Sequence, residues 1–237
     1  VSMKALALAV TLSLTFAITA IAQDSKPTPK SNGGWRRPAE AAANIDVTWI
    51  QKKIDELTYA LKREPKNDAL YGARGQGYKR LGKLDFAAED LTQAISLNPK
   101  RQAYFHIRGN VYGLQKRHRE AYLDYTKALE CGPKSHSLYL SQGQAAILAG
   151  DYKSALTAAR TAQQIKPDDL ETLVLLGSAE QMSGMLQESL RHLTRAIEVN
   201  PKDGGAFSIR STTYEKLGQS ELAKQDKAQA KRLGFQL

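Results

Sequence analysis

Cysteine is nearly absent from this 237-residue chain, which contains only Cys131. A single cysteine excludes an intrachain disulfide, and it also excludes a zinc centre built on paired thiolates. We expect Cys131 to serve as a small buried hydrophobic side chain, with a reactive thiol as the alternative.

Signatures of catalysis and of metal binding are also missing. The four histidines lie in unrelated contexts, with no H-E-x-x-H motif and no carboxylate-rich loop around them. There is no G-x-x-x-x-G-K-S/T phosphate loop and no G-x-S-x-G nucleophile elbow. The glycine-rich string at residues 72–77 follows no strand-like segment. We therefore predict no catalytic residues, no metal and no cofactor.

Acidic residues are outnumbered by basic ones. The chain has 24 Asp and Glu against 34 Lys and Arg, which gives a formal net charge of +10. This excess of positive charge favours anionic partners or surfaces at low ionic strength, and it does not indicate any particular fold. Nucleic acid is not expected as the partner, because basic and aromatic residues do not combine into a stacking platform.

The one long hydrophobic run lies at the N-terminus. Residues 5–22 carry no charge, follow Met3-Lys4 and end in Ala20-Ile21-Ala22, an A-x-A cleavage sequence. We interpret residues 1–22 as a cleaved signal peptide, which predicts an exported protein, periplasmic or extracellular. The alternative is an uncleaved membrane anchor, since about 20 apolar residues span a bilayer.

Residues 23–44 combine proline, glycine and polar residues, a composition that cannot assemble a hydrophobic core. We predict a flexible tether in this region. Within it, Trp35-Arg36-Arg37-Pro38 is either incidental or a short docking motif.

Proline recurs with a period of 34 residues, at Pro65, Pro99, Pro133, Pro167 and Pro201. Each interval also has an aromatic residue or leucine near its start, a glycine or serine four residues later, and a small residue near its middle. A fixed period of this length indicates stacked units, none of which can bury its apolar face alone.

The pattern resembles the tetratricopeptide repeat, whose W-x2-L-G-x2-Y…A-x3-F…P signature has the same period. The resemblance covers about residues 46–237. It implies an all-α, right-handed superhelical solenoid of antiparallel helix hairpins, with a protein or peptide partner held in a concave groove. We therefore expect a non-enzymatic adaptor or scaffold of the cell envelope.

The period defines a half-repeat capping helix at residues 45–67 and five units, at 68–101, 102–135, 136–169, 170–203 and 204–237. The turn inside a unit has glycine at one shared place, where a positive φ closes the first helix. In the second unit Lys116 occupies this place, so we expect a looser turn there.

Opposite charges recur 16 residues apart, as Arg74 with Asp90, Arg108 with Asp124, and Arg210 with Asp226. The third and fourth units lack both members. We predict a structural arginine–carboxylate bridge between the two helices of each unit that has the pair.

The resemblance places the first helix of each unit along the groove. The residues at groove-facing places are Gln76, Lys79, Arg80, His106, Asn110, Gly113, Leu140, Gln144, Ile147, Val174, Ser178, Gln181, Ser208, Thr212 and Glu215. They are polar and basic in the first two units, and apolar with amides in the third and fourth. This gradient suits a ligand with an acidic end and an apolar end; the alternative is that individual residues are merely solvated.

Some members of the family hold a C-terminal carboxylate with a clamp of lysine and asparagine. Asn110 matches one clamp place, but Gly72 stands where the first lysine is expected. We therefore do not predict this clamp.

A basic patch is predicted at two turns. It consists of Lys83 in the first unit and Lys116, Arg117 and Arg119 in the second. These residues are either solvated turn residues or a surface for anionic envelope polymers or a membrane. The second interpretation is the alternative to the adaptor function.

Overall fold

The computed structural model describes residues 38–235, with side chains described from residue 47 onward. All regular structure in this range is α-helix, so the all-α prediction is confirmed. The predicted signal peptide, Trp35 and the tether as far as residue 37 lie outside the described residues. No described helix is long and apolar enough to cross a bilayer.

The described range contains eleven helices. They are α1 (Pro38–Arg63), α2 (Asp68–Arg80), α3 (Leu84–Leu97), α4 (Gln102–Leu114), α5 (His118–Cys131), α6 (His136–Leu148), α7 (Tyr152–Ile165), α8 (Leu170–Met182), α9 (Leu186–Val199), α10 (Gly204–Lys216) and α11 (Ser220–Arg232). From α2 onward, both the first and the second helices of the units begin 34 residues apart. The sequence period is therefore the period of the helix hairpins. Helix α1 begins at Pro38, before the boundary at residue 45 that the sequence indicated.

The links between units end one helix and begin the next. Asn67, Asp169 and Asp203 each accept hydrogen bonds from backbone N–H groups of the helix that follows. Such caps satisfy amides that have no partner inside the helix. The repeated prolines lie in the same links, where a residue without an N–H group cannot continue the preceding helix.

The turns within units share a left-handed residue. The φ angles are 71° at Gly82, 81° at Gly150, 80° at Gly184 and 74° at Gly218, and Lys116 has φ 62°. The looser turn expected at Lys116 is not found. The backbone N–H groups of Lys116 and Arg117 donate to the carbonyls of Gly113 and Tyr112 and close this turn. Equivalent backbone hydrogen bonds close the turn of the first unit.

A glycine at position 116 should therefore stabilise the protein. The left-handed region costs a non-glycine residue about 1–2 kcal/mol, and glycine avoids this steric cost. Glycine has a greater chain entropy in the unfolded state, however, and this offsets about 0.5–1 kcal/mol of the gain in stability. We expect Lys116→Gly to raise the free energy of unfolding by about 0.5–1 kcal/mol in urea titrations.

Gly150→Ala is the matched control, since a Cβ there would meet no atom within 4 Å and the cost would be conformational alone. It should destabilise by about 1 kcal/mol. A Lys116→Gly variant less stable than the natural chain would contradict this account of the turn.

Residues 38–138 form one compact body. Its core cluster joins Ala87, Leu91 and Ala94 of α3 to Tyr104 and Val111 of α4. The Tyr104 hydroxyl donates to Asp68 at the start of α2, at 2.7 Å. Burial and this bond raise the pKa of Tyr104 to about 12.

Residues 139–235 form a second compact body. Leu173 of α8, Ala196 of α9 and Ala206 of α10 make one core cluster. Leu193 is fully buried and lies so close to Gly177 that a Cβ on the glycine would be 2.5 Å from its Cγ. Glycine therefore sets the distance between α8 and α9.

Cys131 is half-buried, so the expectation of a buried side chain is wrong. Its Sγ lies 3.7 Å from the carbonyl oxygen of Pro99. The same place in later units holds Ile165 and Val199, which are 45% and 41% exposed. This place is at the rim of the hairpin, where solvent reaches the side chain.

Candidate functional site

The predicted arginine–carboxylate bridges form in three units. Nε and Nη2 of each arginine donate to both oxygens of one aspartate, at 2.7–2.9 Å, in the pairs Arg74–Asp90, Arg108–Asp124 and Arg210–Asp226. The aspartate side chains are only 7–8% exposed. Two parallel charge-assisted bonds fix the second helix of a unit against the first.

Each of these arginines also reaches the preceding unit, which the sequence reasoning missed. Nη1 donates to a threonine hydroxyl 16 residues earlier, at 3.1 Å for Arg74–Thr58, 2.9 Å for Arg108–Thr92 and 3.0 Å for Arg210–Thr194. One guanidinium thus connects three consecutive helices. The recurring threonine at a constant spacing was the signal in the sequence that could have revealed this bond.

Aromatic rings lie on either side of the same guanidinium groups. Arg108 lies 5.9 Å from the centroid of Phe105 and 5.5 Å from that of Tyr112, and the other two arginines have equivalent neighbours. The hydrogen bonds to the aspartates raise the pKa of Arg74 and Arg210. These arginines are committed to internal contacts and are structural.

The fourth unit has a bridge of a different kind. Glu180 of α8, with a side chain only 3% exposed, lies 2.7 Å from Nδ1 of His192 on α9. Glu180 stands where the first, second and fifth units have tyrosine, and His192 stands where those units have aspartate. The sequence reasoning found no bridge in this unit because it looked only for the arginine–aspartate pattern.

Four of the predicted groove residues are buried. The exposed fractions are 8% for Ile147, 6% for Ser178, 1% for Gln181 and 6% for Ser208. Ser178 donates to the carbonyl of Val174 in its own helix. These side chains are not available to a ligand as placed, which corrects the prediction for them.

Gln181 is buried because its side chain contacts the next unit. Its Nε2 donates to the carbonyl of Ile209 at 2.9 Å and lies 2.6 Å and 2.8 Å from the hydroxyls of Thr212 and Thr213. The amide therefore joins α8 to α10. Thr212, another predicted groove residue, is part of the same contact.

The other predicted groove residues remain accessible to different degrees. Lys79, His106, Asn110, Gly113, Leu140, Gln144, Val174 and Thr212 are half-buried, and Gln76, Arg80 and Glu215 are exposed. Val174 also packs against the core cluster around Leu173. Glu215 accepts a hydrogen bond from Lys227 of α11, an ion pair that occupies its carboxylate.

A donor-rich cluster, formed by Lys79, His106 and Asn110, lies on the first helices α2 and α4. The Tyr125 hydroxyl donates to Oδ1 of Asn110 at 2.8 Å, and the Tyr125 ring meets the His106 ring edge-on at 6.0 Å between centroids. Burial raises the pKa of Tyr125, so its hydroxyl stays protonated and donates. Tyr125 thereby positions both polar side chains.

The positive charge of Lys79 in the donor-rich cluster has no opposite charge to compensate it among the described residues. Desolvation lowers the pKa of Lys79, and neighbouring Arg80 lowers it further. Desolvation also lowers the pKa of His106, and Lys79 adds to the effect. Among the described residues, no carboxylate lies within ion-pair distance of Lys79. The cluster combines partial burial, positive charge and hydrogen-bond donors.

Two residues of the basic patch, Arg117 and Lys83, contact other side chains of the protein. Arg117 donates to Glu120 at 3.0 Å and lies 4.3 Å from the Tyr112 ring centroid. Lys83 contacts Gln51 at 3.3 Å. Lys116 and Arg119 are exposed. Only part of the patch therefore offers charge to an outside partner.

Histidine, cysteine and carboxylate side chains do not assemble into a metal site anywhere in the part of the chain that the structure describes.

Comparison with known proteins identifies the repeats. Two tetratricopeptide repeat family models match the chain, one at residues 69–101 and the other at residues 108–169. No curated protein matches it.

Solved structures share the fold at low sequence identity. The chain resembles YrrB, a TPR protein with an unusual peptide-binding site, with 22% identity and a TM-score of 0.64 over 75% of this chain and 91% of that one. It resembles MamA from Desulfovibrio magneticus RS-1 with 17% identity and a TM-score of 0.65 over 70% and 94%. A tetratricopeptide repeat protein from Parabacteroides merdae gives 22% identity and a TM-score of 0.67 over 79% and 75%. These structures show the fold alone. The two repeat models and the 34-residue helix hairpins identify the chain as a tetratricopeptide repeat protein.

Proposed function

We propose that this protein is a non-enzymatic adaptor of the cell envelope that holds a segment of a partner protein along the first helices of its repeats. Proteins of this family bind protein or peptide partners, and YrrB has a peptide-binding site. The observation that carries the proposal is the contact between α2 and α4, which brings half-buried polar side chains of two repeats near one another.

The repeat framework makes this surface stiff before a ligand arrives. The arginines at positions 74 and 108 each connect three consecutive helices. A preformed surface binds with less loss of conformational entropy than a flexible one. The partner segment therefore needs to supply few contacts to bind with useful affinity.

The envelope location rests on the N-terminal sequence. Cell fractionation of the full chain tests it, with the processed N-terminus read by mass spectrometry. Recovery of unprocessed chain in the cytosol would contradict the export part of the proposal and leave the adaptor part standing.

Site-specific photo-cross-linking tests the binding surface. A benzophenone amino acid at exposed Gln76 of α2 should cross-link a discrete envelope protein. The same amino acid at Leu123, which is 53% exposed on the second helix α5, is the matched control and should not. Equal cross-linking at both positions, or at Leu123 alone, would contradict binding along the first helices.

A second candidate function is binding of anionic polymers or membranes through the basic patch. Exposed Lys116 and Arg119 favour it, because charges accessible to solvent attract polyanions at low salt. We expect Lys116→Glu with Arg119→Glu to leave partner binding unchanged within about twofold, since rim charges contribute little affinity.

Co-sedimentation with anionic vesicles measures the competing function in the same variant. Loss of the protein partner together with vesicle binding would favour the polyanion binder over the adaptor. Arg117 is left unchanged, because Glu120 already pairs with its charge at 3.0 Å.

A further inference from the structure

We infer that one face of helix α1 is a homodimer interface, on which two copies of this chain pack α1 against α1 in antiparallel orientation. The interface is the α1 stripe, which consists of Trp49, Lys53, Glu56 and Ala60. This inference goes beyond the proposed adaptor function and does not depend on it.

The α1 stripe lies on a face that second helices bury in the complete units. A Cβ at Gly75 of α2 would lie 3.0 Å from Cγ of Leu91 and 3.2 Å from Cβ of Asp90, both on α3. One period earlier, the place of Asp90 is occupied by Glu56. The described residues begin with α1 and include no first helix to pair with it, so within them this face of α1 lacks its usual cover.

The exposure of the α1 stripe agrees with a missing cover. Trp49 is 58% exposed, and the side chains of Lys53 and Glu56 are 54% and 51% exposed. Ala60 is only half-buried. The alanines at its place in the five units are all fully buried: Ala94, Ala128, Ala162, Ala196 and Ala230. An exposed tryptophan beside an accessible alanine is a surface suited to a partner, since tryptophan is enriched at protein interfaces.

The spacing of the α1 stripe identifies a second copy of the chain as that partner. Its residues follow one another at intervals of 4, 3 and 4, which is the spacing of a coiled-coil seam. When two identical helices pack in antiparallel orientation, a twofold axis between residues 54 and 55 brings position 53 opposite 56 and position 49 opposite 60. Both pairs are centred on the same point, so one axis serves all four residues.

Each residue of the α1 stripe then meets a complementary residue of the other copy. The Lys53 ammonium lies opposite a Glu56 carboxylate, and the Trp49 ring lies over a small Ala60. The same patch must match itself in a twofold interface, and this stripe does so in both charge and size. Lys53 and Glu56 form a 3.0 Å bridge within α1, so their charged groups already lie side by side on the stripe.

Parallel packing is disfavoured, because it would place Lys53 against Lys53 and Glu56 against Glu56. A charged layer at the centre of a seam fixes its register at a cost in affinity. The contact is also small, and interfaces below about 1,200 Å² are typical of transient complexes. We therefore expect a reversible dimer that dissociates on dilution, with two binding surfaces to hold a two-site partner by avidity.

Sedimentation velocity of the full chain tests the interface. The molar mass should rise from one chain towards two as the concentration increases from the low micromolar range to the near-millimolar range. Trp49→Ala should weaken the dimer about a hundredfold, because the interface contains two copies of this anchor. Since Trp49 is exposed in the single chain, circular dichroism should show an unchanged fold.

Two charge variants test the register. Lys53→Glu and Glu56→Lys each place like charges at both contacts, so each variant should associate with itself at least tenfold more weakly. An equimolar mixture of the two variants should dimerise like the natural chain, because every contact between them again joins opposite charges.

Lys62→Glu is the matched control. Lys62 is exposed and lies nine residues from Lys53, which is half a turn away around α1. The same change of charge there should leave the dimer unchanged. A chain that stays monomeric at every concentration, or a dimer that Trp49→Ala does not weaken, would overturn the interface. Failure of the mixed charge variants to associate would overturn the antiparallel pairing.

Discussion

Replacing Asp124 by alanine is expected to lower the free energy of unfolding by about 3 kcal/mol. Asp124 is the partner of Arg108, at 2.8 Å through both oxygens, and its side chain is 7% exposed. Without it a largely buried guanidinium keeps its charge and retains only the bond to Thr92. Urea denaturation measures the loss, and hydrogen exchange should show the loss of protection concentrated in α4 and α5.

An exposed ion pair and a double variant serve as controls for this result. Asp168 pairs with Arg195 at 3.0 Å, but its side chain is 63% exposed, so Asp168→Ala should cost less than about 1 kcal/mol. Replacing both members of the buried pair, as Arg108→Met with Asp124→Leu, should cost less than Asp124→Ala alone, because no charge is left buried. A double variant as unstable as the single one would contradict the uncompensated charge as the cause.

Leu193→Ala is expected to destabilise the protein by about 3–4 kcal/mol. The side chain is fully buried, and its Cγ would lie 2.5 Å from a Cβ at Gly177. Truncation removes buried apolar surface and leaves a cavity between α8 and α9, which rigid helix hairpins close only in part. Denaturant titration followed by circular dichroism measures the change.

Leu222→Ala is the matched control for this core position. Leu222 is 43% exposed on α11, so its truncation removes little buried surface and should cost about 0.5 kcal/mol or less. Similar losses in the two variants would show that packing against Gly177 is not what holds α8 and α9 together.

The backbone-level features were predictable from the sequence. The prolines repeat every 34 residues because each link must end a helix in the same place, and the turn glycines repeat because each turn needs a left-handed residue. The arginine–aspartate bridges were also predictable, since a pair of charges kept at one spacing in three units indicates contact. Repetition turned weak local signals into specific ones.

Features that occur once, or that depend on a neighbouring unit, were not predictable. The Glu180–His192 bridge has no second example among the described residues from which its spacing could be learned. Gln181 is buried because Thr212 and Thr213 of the next unit supply its partners, which position within a single repeat does not encode. Lys116 adopts the left-handed conformation because the hydrogen bonds of the turn outweigh its steric cost.

The donor-rich cluster was predictable only in part. Lys79, His106 and Asn110 were each placed on the binding surface by their repeat position. That Tyr125 holds two of them, and that Lys79 lacks a described carboxylate partner, depends on side chains from different helices meeting in space. Sequence position gives the face of a helix, and the structure gives the partners on it.

The central claim is that the first helices of the repeats hold a partner protein, and affinity capture from envelope extract tests it most directly. The full chain would be compared with a groove variant, Gln76→Trp, and with the patch variant, Lys116→Glu with Arg119→Glu. The account predicts one discrete protein that survives high-salt washing, is lost with the groove variant and is kept with the patch variant. Heterogeneous anionic material that high salt releases, and that only the patch variant loses, would contradict it, because such contacts are screened by salt.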